Sequence, residues 1–274
     1  MATVLLGVGV AFATVLVVAA VFDRINHRSF LEDALRARAE DAPLPAGPIS
    51  AADLAPLPAP VKRYLELAGV VGKPRYRFAH ITHGGFFRPS PTRPWFPIQG
   101  EYYLTTSKPT FVWYGKIRMP LGISVVARDS CIGGRGRMLI KLASAIAIAD
   151  STGPETDQSA RGRLVSELSM VPTSLVPSDY VRWEPIDERS ARMVVRAGAS
   201  EEAAVLHFGD NGMPTRIVVQ RSYEDRGKTP WTGTVKSYRE FQGLNVCEEI
   251  EGSWNLPEGD YCYVRFRLTG AQYE

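Results

Sequence analysis

The alternation of apolar and polar positions divides this chain into three stretches. Residues 2–22, ATVLLGVGVAFATVLVVAAVF, carry no charge, and Asp23, Arg24, His27 and Arg28 follow at once. A helix of that length, rising about 1.5 Å per residue, spans the roughly 30 Å hydrocarbon core of a bilayer, so residues 1–22 are expected to form a transmembrane anchor. A cleavable signal peptide is the competing reading, since Val18-Ala19-Ala20 fits a small-residue cleavage rule. Against it, no Lys or Arg precedes the run, which exceeds the roughly 7–15 apolar residues of a signal-peptide core.

Residues 23–55 form the second stretch. Phe30, Leu31, Ala34 and Leu35 with interleaved charges predict a short amphipathic helix, whose arginines serve as a solvated face or touch lipid headgroups. Pro43, Pro45, Gly47 and Pro48 then predict a stiff linker that holds the globular part a short distance off the bilayer. Arg24, Arg28, Arg36 and Arg38 all lie C-terminal to the run, which places that part in the cytoplasm, the exported side being the alternative.

The third stretch, 56–274, changes character twice. Pro60 and Gly69 bracket a short helix with Val61, Leu65 and Ala68 on one stripe. From Arg75 onward, runs rich in aromatic and branched residues predict strands at 76–87, 95–106, 110–117 and 121–130. A second helix is expected at 158–171, where Ala160, Leu164, Leu168 and Val171 recur at helical spacing, Asp157 caps the start and Pro172 ends it. Seven further strands are expected at 181–186, 191–196, 203–208, 215–222, 232–241, 246–254 and 261–268, with a tight turn at Asp210-Asn211-Gly212. Turn-length gaps imply antiparallel pairing. The expected fold is mainly β: a large curled antiparallel sheet, an unclosed barrel, with one or two short helices against its concave side.

Composition narrows the functional classes. The chain has 274 residues, 45% hydrophobic and 22% charged, with a formal net charge of +3. Roughly 230 residues beyond the linker suffice for one large β domain, and a small positive balance without a basic stripe argues against nucleic acid as a partner. Three cysteines make no disulfide framework. Simple alternation in a hairpin turning at 257–259 sets Val246, Ile250 and Trp254 on the face of Cys262, Val264 and Phe266. Cys247 then faces the other side and does not pair with Cys262.

Candidate chemistry is sparse, and no cofactor is expected. His80 and His83, three apart on a strand, point to opposite faces and cannot share a metal without a bulge, so no metal site is assigned. His207 is expected to face solvent. The glycine-rich segment 132–137 presents Arg135 and Arg137 either as an anion-binding loop or as an ordinary turn, and it lacks the helix opening of a nucleotide P-loop. Arg163 and Glu167 lie one helical turn apart, as a surface ion pair or, if their helix plugs the concavity, as a buried one. The aromatics are numerous enough to line a cavity, Trp113 among them.

The stretches LPAPVKRYLELAGVVGKP, FVWYGKIRM, the Asp129…Gly134-x-Gly136 segment, ARGRLVSELSMVPTSLVP, VRWEPIDERSAR and PWTGTVKSYREFQGLNVCEEIEGSW resemble an uncharacterised family of bacterial, often membrane-anchored proteins, a domain of unknown function. The sequence departs from that pattern at Ser169-Met170, where a Trp precedes Val-Pro-Thr, and at Asn245-Val246, where Ile-Pro is usual. Its closing strands also resemble those of periplasmic lipoprotein carriers, which implies an unclosed barrel able to hold acyl chains. Two functions are therefore expected. The first is a membrane-tethered binding module sheltering an apolar or amphipathic, lipid-like ligand, with Trp113, Asp129, Arg135, Arg137, Arg163 and Glu167 as candidate ligand-binding residues. The alternative is an enzyme of undefined class acting on a membrane-associated substrate through the same polar groups.

Overall fold

A computed structural model describes residues 2–39 and 42–274; side chains before Thr14, and those of Val15, Leu16, Ala19 and Leu121, lie outside the described residues. Thirteen strands form one antiparallel sheet: β1 (Phe78–Phe87), β2 (Phe96–Thr105), β3 (Thr110–Arg118), β4 (Ser124–Ile132), β5 (Arg135–Leu142), β6 (Ile146–Ser151), β7 (Val181–Asp187), β8 (Ser190–Ala197), β9 (Ser200–Phe208), β10 (Pro214–Ser222), β11 (Lys228–Phe241), β12 (Leu244–Leu256) and β13 (Gly259–Tyr273). Their order is β6-β5-β4-β3-β2-β1-β13-β12-β11-β10-β9-β8-β7, so the chain builds one half outward from β1 and returns through β13 to build the other. The sheet is unclosed, with β6 and β7 at its edges.

β5 and β6 were not expected from the sequence, because Gly133, Gly134 and Gly136 have the look of a loop. The loop is only the two-residue turn: Gly133 and Gly134 take φ of +57° and +79°, and pairing resumes at once between Ile132 and Arg135. Gly134 also comes so close to the Ala197 carbonyl that a Cβ would collide with it, which brings the β4–β5 turn against the β8–β9 turn. The two halves of the sheet therefore curl towards each other.

Across that concavity lies α3 (Pro154–Glu167), packed on β4 and β5 at one flank and on β8, β9 and β10 at the other. It sits deep because small residues let it: a Cβ on Gly136 would strike Ala160, and one on Gly162 would strike Arg221. The helix starts four residues before the expected 158 and ends at Glu167, where a 3-10 turn, Leu168–Met170, takes over. Its N-cap is Gly153, and Asp157 instead accepts the Gly136 N–H at 2.7 Å, tying helix to strand. The short helix α2 (Ala59–Leu67) matches the expected amphipathic segment, with Val61, Tyr64 and Leu65 in the main core and Gly69, at φ +77°, just beyond its end.

α1 (Ala2–Ala39) is one continuous helix. Residues 23–39 continue the same helix and lie against the convex face of the sheet. Phe30 is fully buried there against Tyr103 and Tyr114, Asp23 accepts from Tyr114 Oη and Lys116 Nζ at 2.6 Å, and Arg128 pairs with Asp33. The proline segment is held too, through Ala42 N–H to Ser107 Oγ at 3.1 Å and a bridge between Pro48 and Pro74, so it is not a free spacer. Among the described residues no helix is long and apolar enough to cross a membrane, and the expected span, 1–22, falls largely on side chains outside those described.

Candidate ligand cavity

The concave face encloses a cavity of about 1070 Å³ between the sheet and α3, at the upper end of the few hundred to roughly 1,000 Å³ typical of small-molecule sites. Its walls are mostly apolar, with Ile98, Trp113, Trp231, Ile250, Trp254 and Phe266 prominent. Aromatic rings lie flat on this sheet because glycines stand beneath them. Added Cβ atoms on Gly115, Gly100 and Gly252 would run into Trp113, His83 and Trp231 respectively. The mouth lies among the loops after β1, β3 and β10 and the N-terminus of α3, where Phe87, Met119, Tyr223, Glu224 and Glu155 line it.

Deep inside stands a polar cluster that α3 delivers to the strands. Arg163 Nη1 donates to Asp129 Oδ2 at 2.6 Å, its Nε to Glu167 Oε1 at 2.9 Å and its Nη2 to Tyr102 Oη at 2.7 Å; the Tyr102 hydroxyl in turn donates to Glu167 Oε1 at 3.0 Å. The guanidinium carbon lies 4.7 Å from the Trp113 ring centroid and 5.1 Å from that of Phe111. Burial alone would pull the Arg163 pKa down, but Tyr102, Asp129 and Glu167 hold it well above its ordinary value. Burial pushes the Tyr102 phenol up well beyond its usual range. Of the two sequence readings of Arg163 and Glu167, the buried one holds: their side chains are 10% and 16% exposed.

A second contact fixes Trp113 itself. Its indole N–H donates to His83 Nε2 at 2.9 Å, and the two rings lie edge to edge, within 9° of coplanar. Burial pushes the His83 pKa down to about 3, so the imidazole is neutral and free to accept that bond. His80 points the other way, to the convex side, where it meets Glu101 at 2.8 Å and stacks on Tyr103.

The structure thus gathers Trp113, Asp129, Arg163 and Glu167 in one place. Arg135 and Arg137 are not with them. Both are exposed on β5, Arg137 is engaged by Asp150 in two bonds of 2.9 Å, and the Gly136 N–H is taken by Asp157; residues 132–137 form a tight turn and the start of β5. Cys131, Cys247 and Cys262 are free thiols, and Cys247 and Cys262 lie on opposite faces, though each on the face contrary to expectation. Register shifts near Cys247 and between Gly252 and Ser253 interrupt simple alternation, so Cys247 lines the cavity beside Ile250 while Cys262, paired with Ser253, faces out. Burial pushes the Cys247 thiol up to about 12, which keeps it protonated and unreactive at neutral pH.

Arg221 is a cavity residue that sequence reasoning missed, and His83, considered there only as a metal ligand, instead supports Trp113 from behind the cavity wall. Arg221 follows Ile217 and Val219 at a spacing of two on β10, the inward parity, and that alternation was the available signal.

The chain belongs to a family of unknown function: the model described as "Family of unknown function (DUF6544)" matches residues 47–266. No curated protein matches it. Among solved structures, a LolA superfamily protein from Nitrosomonas europaea is similar over 82% of this chain and 94% of that one, with a TM-score of 0.40 and 10% identity, a likeness too distant to carry an argument about function.

Proposed function

We propose that this protein is a binding module that shelters an apolar or amphipathic, lipid-like ligand in the cavity of its curled sheet. The observation that carries the reading is the cavity itself: about 1070 Å³ of space beneath α3, walled largely by tryptophan, phenylalanine and isoleucine. Apolar area removed from water on binding contributes roughly 25 cal/mol per Å². The enzyme alternative has less support. Asp129 and Glu167 both accept from Arg163, so the carboxylates that would serve as acid or base are already occupied.

The test is a neutral naphthylamine probe whose fluorescence rises in apolar surroundings. Full-length protein should enhance it saturably, and Ile250→Trp, which fills the cavity from β12, should weaken that binding by about tenfold or more while shifting the melting temperature little. Saturable binding untouched by Ile250→Trp would place the probe elsewhere and sink the reading.

The membrane tether belongs to the same proposal. The uncharged run 2–22 opens α1, and the described part of that helix exposes Val17, Val18, Val21 and Phe22. Asn26 fixes the helix to the β5–β6 turn through the Ser144 carbonyl at 2.6 Å, beside exposed Ile146 and Ile148, so the apolar segment leaves the sheet near the mouth of the cavity. The four arginines that follow the run favour a domain on the cytoplasmic side. Carbonate washing should leave the full chain in the membrane pellet and release a chain lacking residues 2–22; full-length protein in the supernatant would refute the anchor.

A further inference from the structure

Arg221 is the second buried cation of the cavity, and it differs from Arg163 in one respect. Arg163 is met by two carboxylates, whereas among the described residues none lies within ion-pair distance of Arg221. Its side chain extends from β10 into the cavity lining and is 7% exposed. The guanidinium lies over the rings of Trp231 and Trp254, 5.5 and 5.3 Å from their centroids. Nε donates to the Ser159 carbonyl at 3.1 Å and Nη2 to Ser159 Oγ at 3.4 Å, which leaves Nη1 without a protein acceptor among the described residues.

A permanent cation taken out of water costs more than two tryptophan faces, one carbonyl and one hydroxyl offset, unless an anion completes the site. The planar fork of a guanidinium matches an oxyanion in particular. Three carboxylates, Glu155, Glu224 and Asp225, also line the mouth, but all three are exposed. Water screens them, while the same charge separation is felt several times more strongly in the enclosed site around Arg221. The buried cation therefore outweighs the acidic rim in selecting what is drawn inside.

We propose that Arg221 receives the oxyanion head group, carboxylate or phosphate, of an amphipathic ligand whose hydrocarbon lies along the wall formed by Trp231, Trp254, Ile250 and Phe266. This assignment rests on the ligand-binding reading above and makes it specific: the ligand is an anionic amphiphile, held head towards β10 and the start of α3.

The experiment uses dibromostearate and its methyl ester as probes, which carry the same quenching bromines and differ in one negative charge. Each is titrated into the full chain held in an uncharged amphiphilic polymer, with tryptophan fluorescence as readout. Dibromostearate should bind at least about tenfold more tightly than the ester. Arg221→Gln should abolish that preference by weakening only the acid, and Arg221→Lys should restore part of it. Excess inorganic phosphate should displace neither probe, because the anion is bound through its chain. Equal affinities in the wild type, a preference that survives Arg221→Gln, or displacement by phosphate alone would each overturn the head-group assignment while leaving the ligand-binding reading intact. Absence of saturable quenching by both probes would overturn that reading itself. Should Arg221→Gln fail to fold, Arg221→Lys takes its place: its acid-to-ester ratio should fall clearly below that of the wild type, and an unchanged ratio would overturn the assignment.

Discussion

Replacing Arg163 with methionine should destabilise the protein by about 3–5 kcal/mol, the usual cost of removing one partner from a buried charge cluster. The loss has a definite origin. Asp129 is 4% exposed and Glu167 16%, and both direct oxygens at the same guanidinium; without it two carboxylates and a tyrosine hydroxyl share a cavity wall with no cation between them. Removing the carboxylates together with the arginine takes away the charges that need solvation, so Arg163→Met with Asp129→Leu and Glu167→Met should recover most of the stability. Urea melts of the single and triple variants provide the check. A single variant within about 1 kcal/mol of wild type would show that the cluster is solvated and does not form the closed network described.

Acidification should weaken the fold through His83. Its pKa falls from 6.5 to about 3 on folding, chiefly by burial, so between those values the unfolded chain binds the proton and the folded one does not. Stability therefore declines as the pH drops through about 6.5 and continues to decline to about 3, with a loss on the order of 2 kcal/mol between neutral pH and pH 5 from this residue alone. Other groups contribute their own slopes, which a comparison with His83→Gln removes: glutamine can still accept the Trp113 indole N–H through its amide oxygen but does not titrate. The wild type should lose about 2 kcal/mol more than the variant over that interval. Parallel losses would mean that His83 can be protonated in the folded state, and the sealed Trp113–His83 contact would then be wrong.

Much of the architecture was legible because it depends on local pattern. Strands β7 to β13 announce themselves by alternation and turn residues, and α2 by its proline and glycine brackets. What escaped depends on long-range placement. β5 begins directly at a pair of glycines, and the reason for Gly134 and Gly136 lies in the Ala197 carbonyl and in Ala160 of α3, far away in sequence. The faces of Cys247 and Cys262 were inverted because alternation counts residues and a bulge adds one. In the site, Trp113, Asp129, Arg163 and Glu167 stood out one by one in the sequence, but their meeting in one cluster required knowing that α3 plugs the concavity. Arg135 and Arg137 drew attention by composition alone, although they point to solvent. Arg221 went unnoticed despite sharing parity with Ile217 and Val219, since an arginine on a strand is ordinarily assigned to the wet side.

The central claim, that the cavity exists to hold an apolar or amphipathic molecule, is most directly tested by native mass spectrometry of the full chain purified from membranes in mild detergent. The account predicts a mass excess of one lipid-sized molecule on the intact protein, released on collisional activation, and absent or strongly reduced in Ile250→Trp. Protein that carries only its own mass, or that carries adducts in equal amount when Ile250→Trp has filled the cavity, would contradict it.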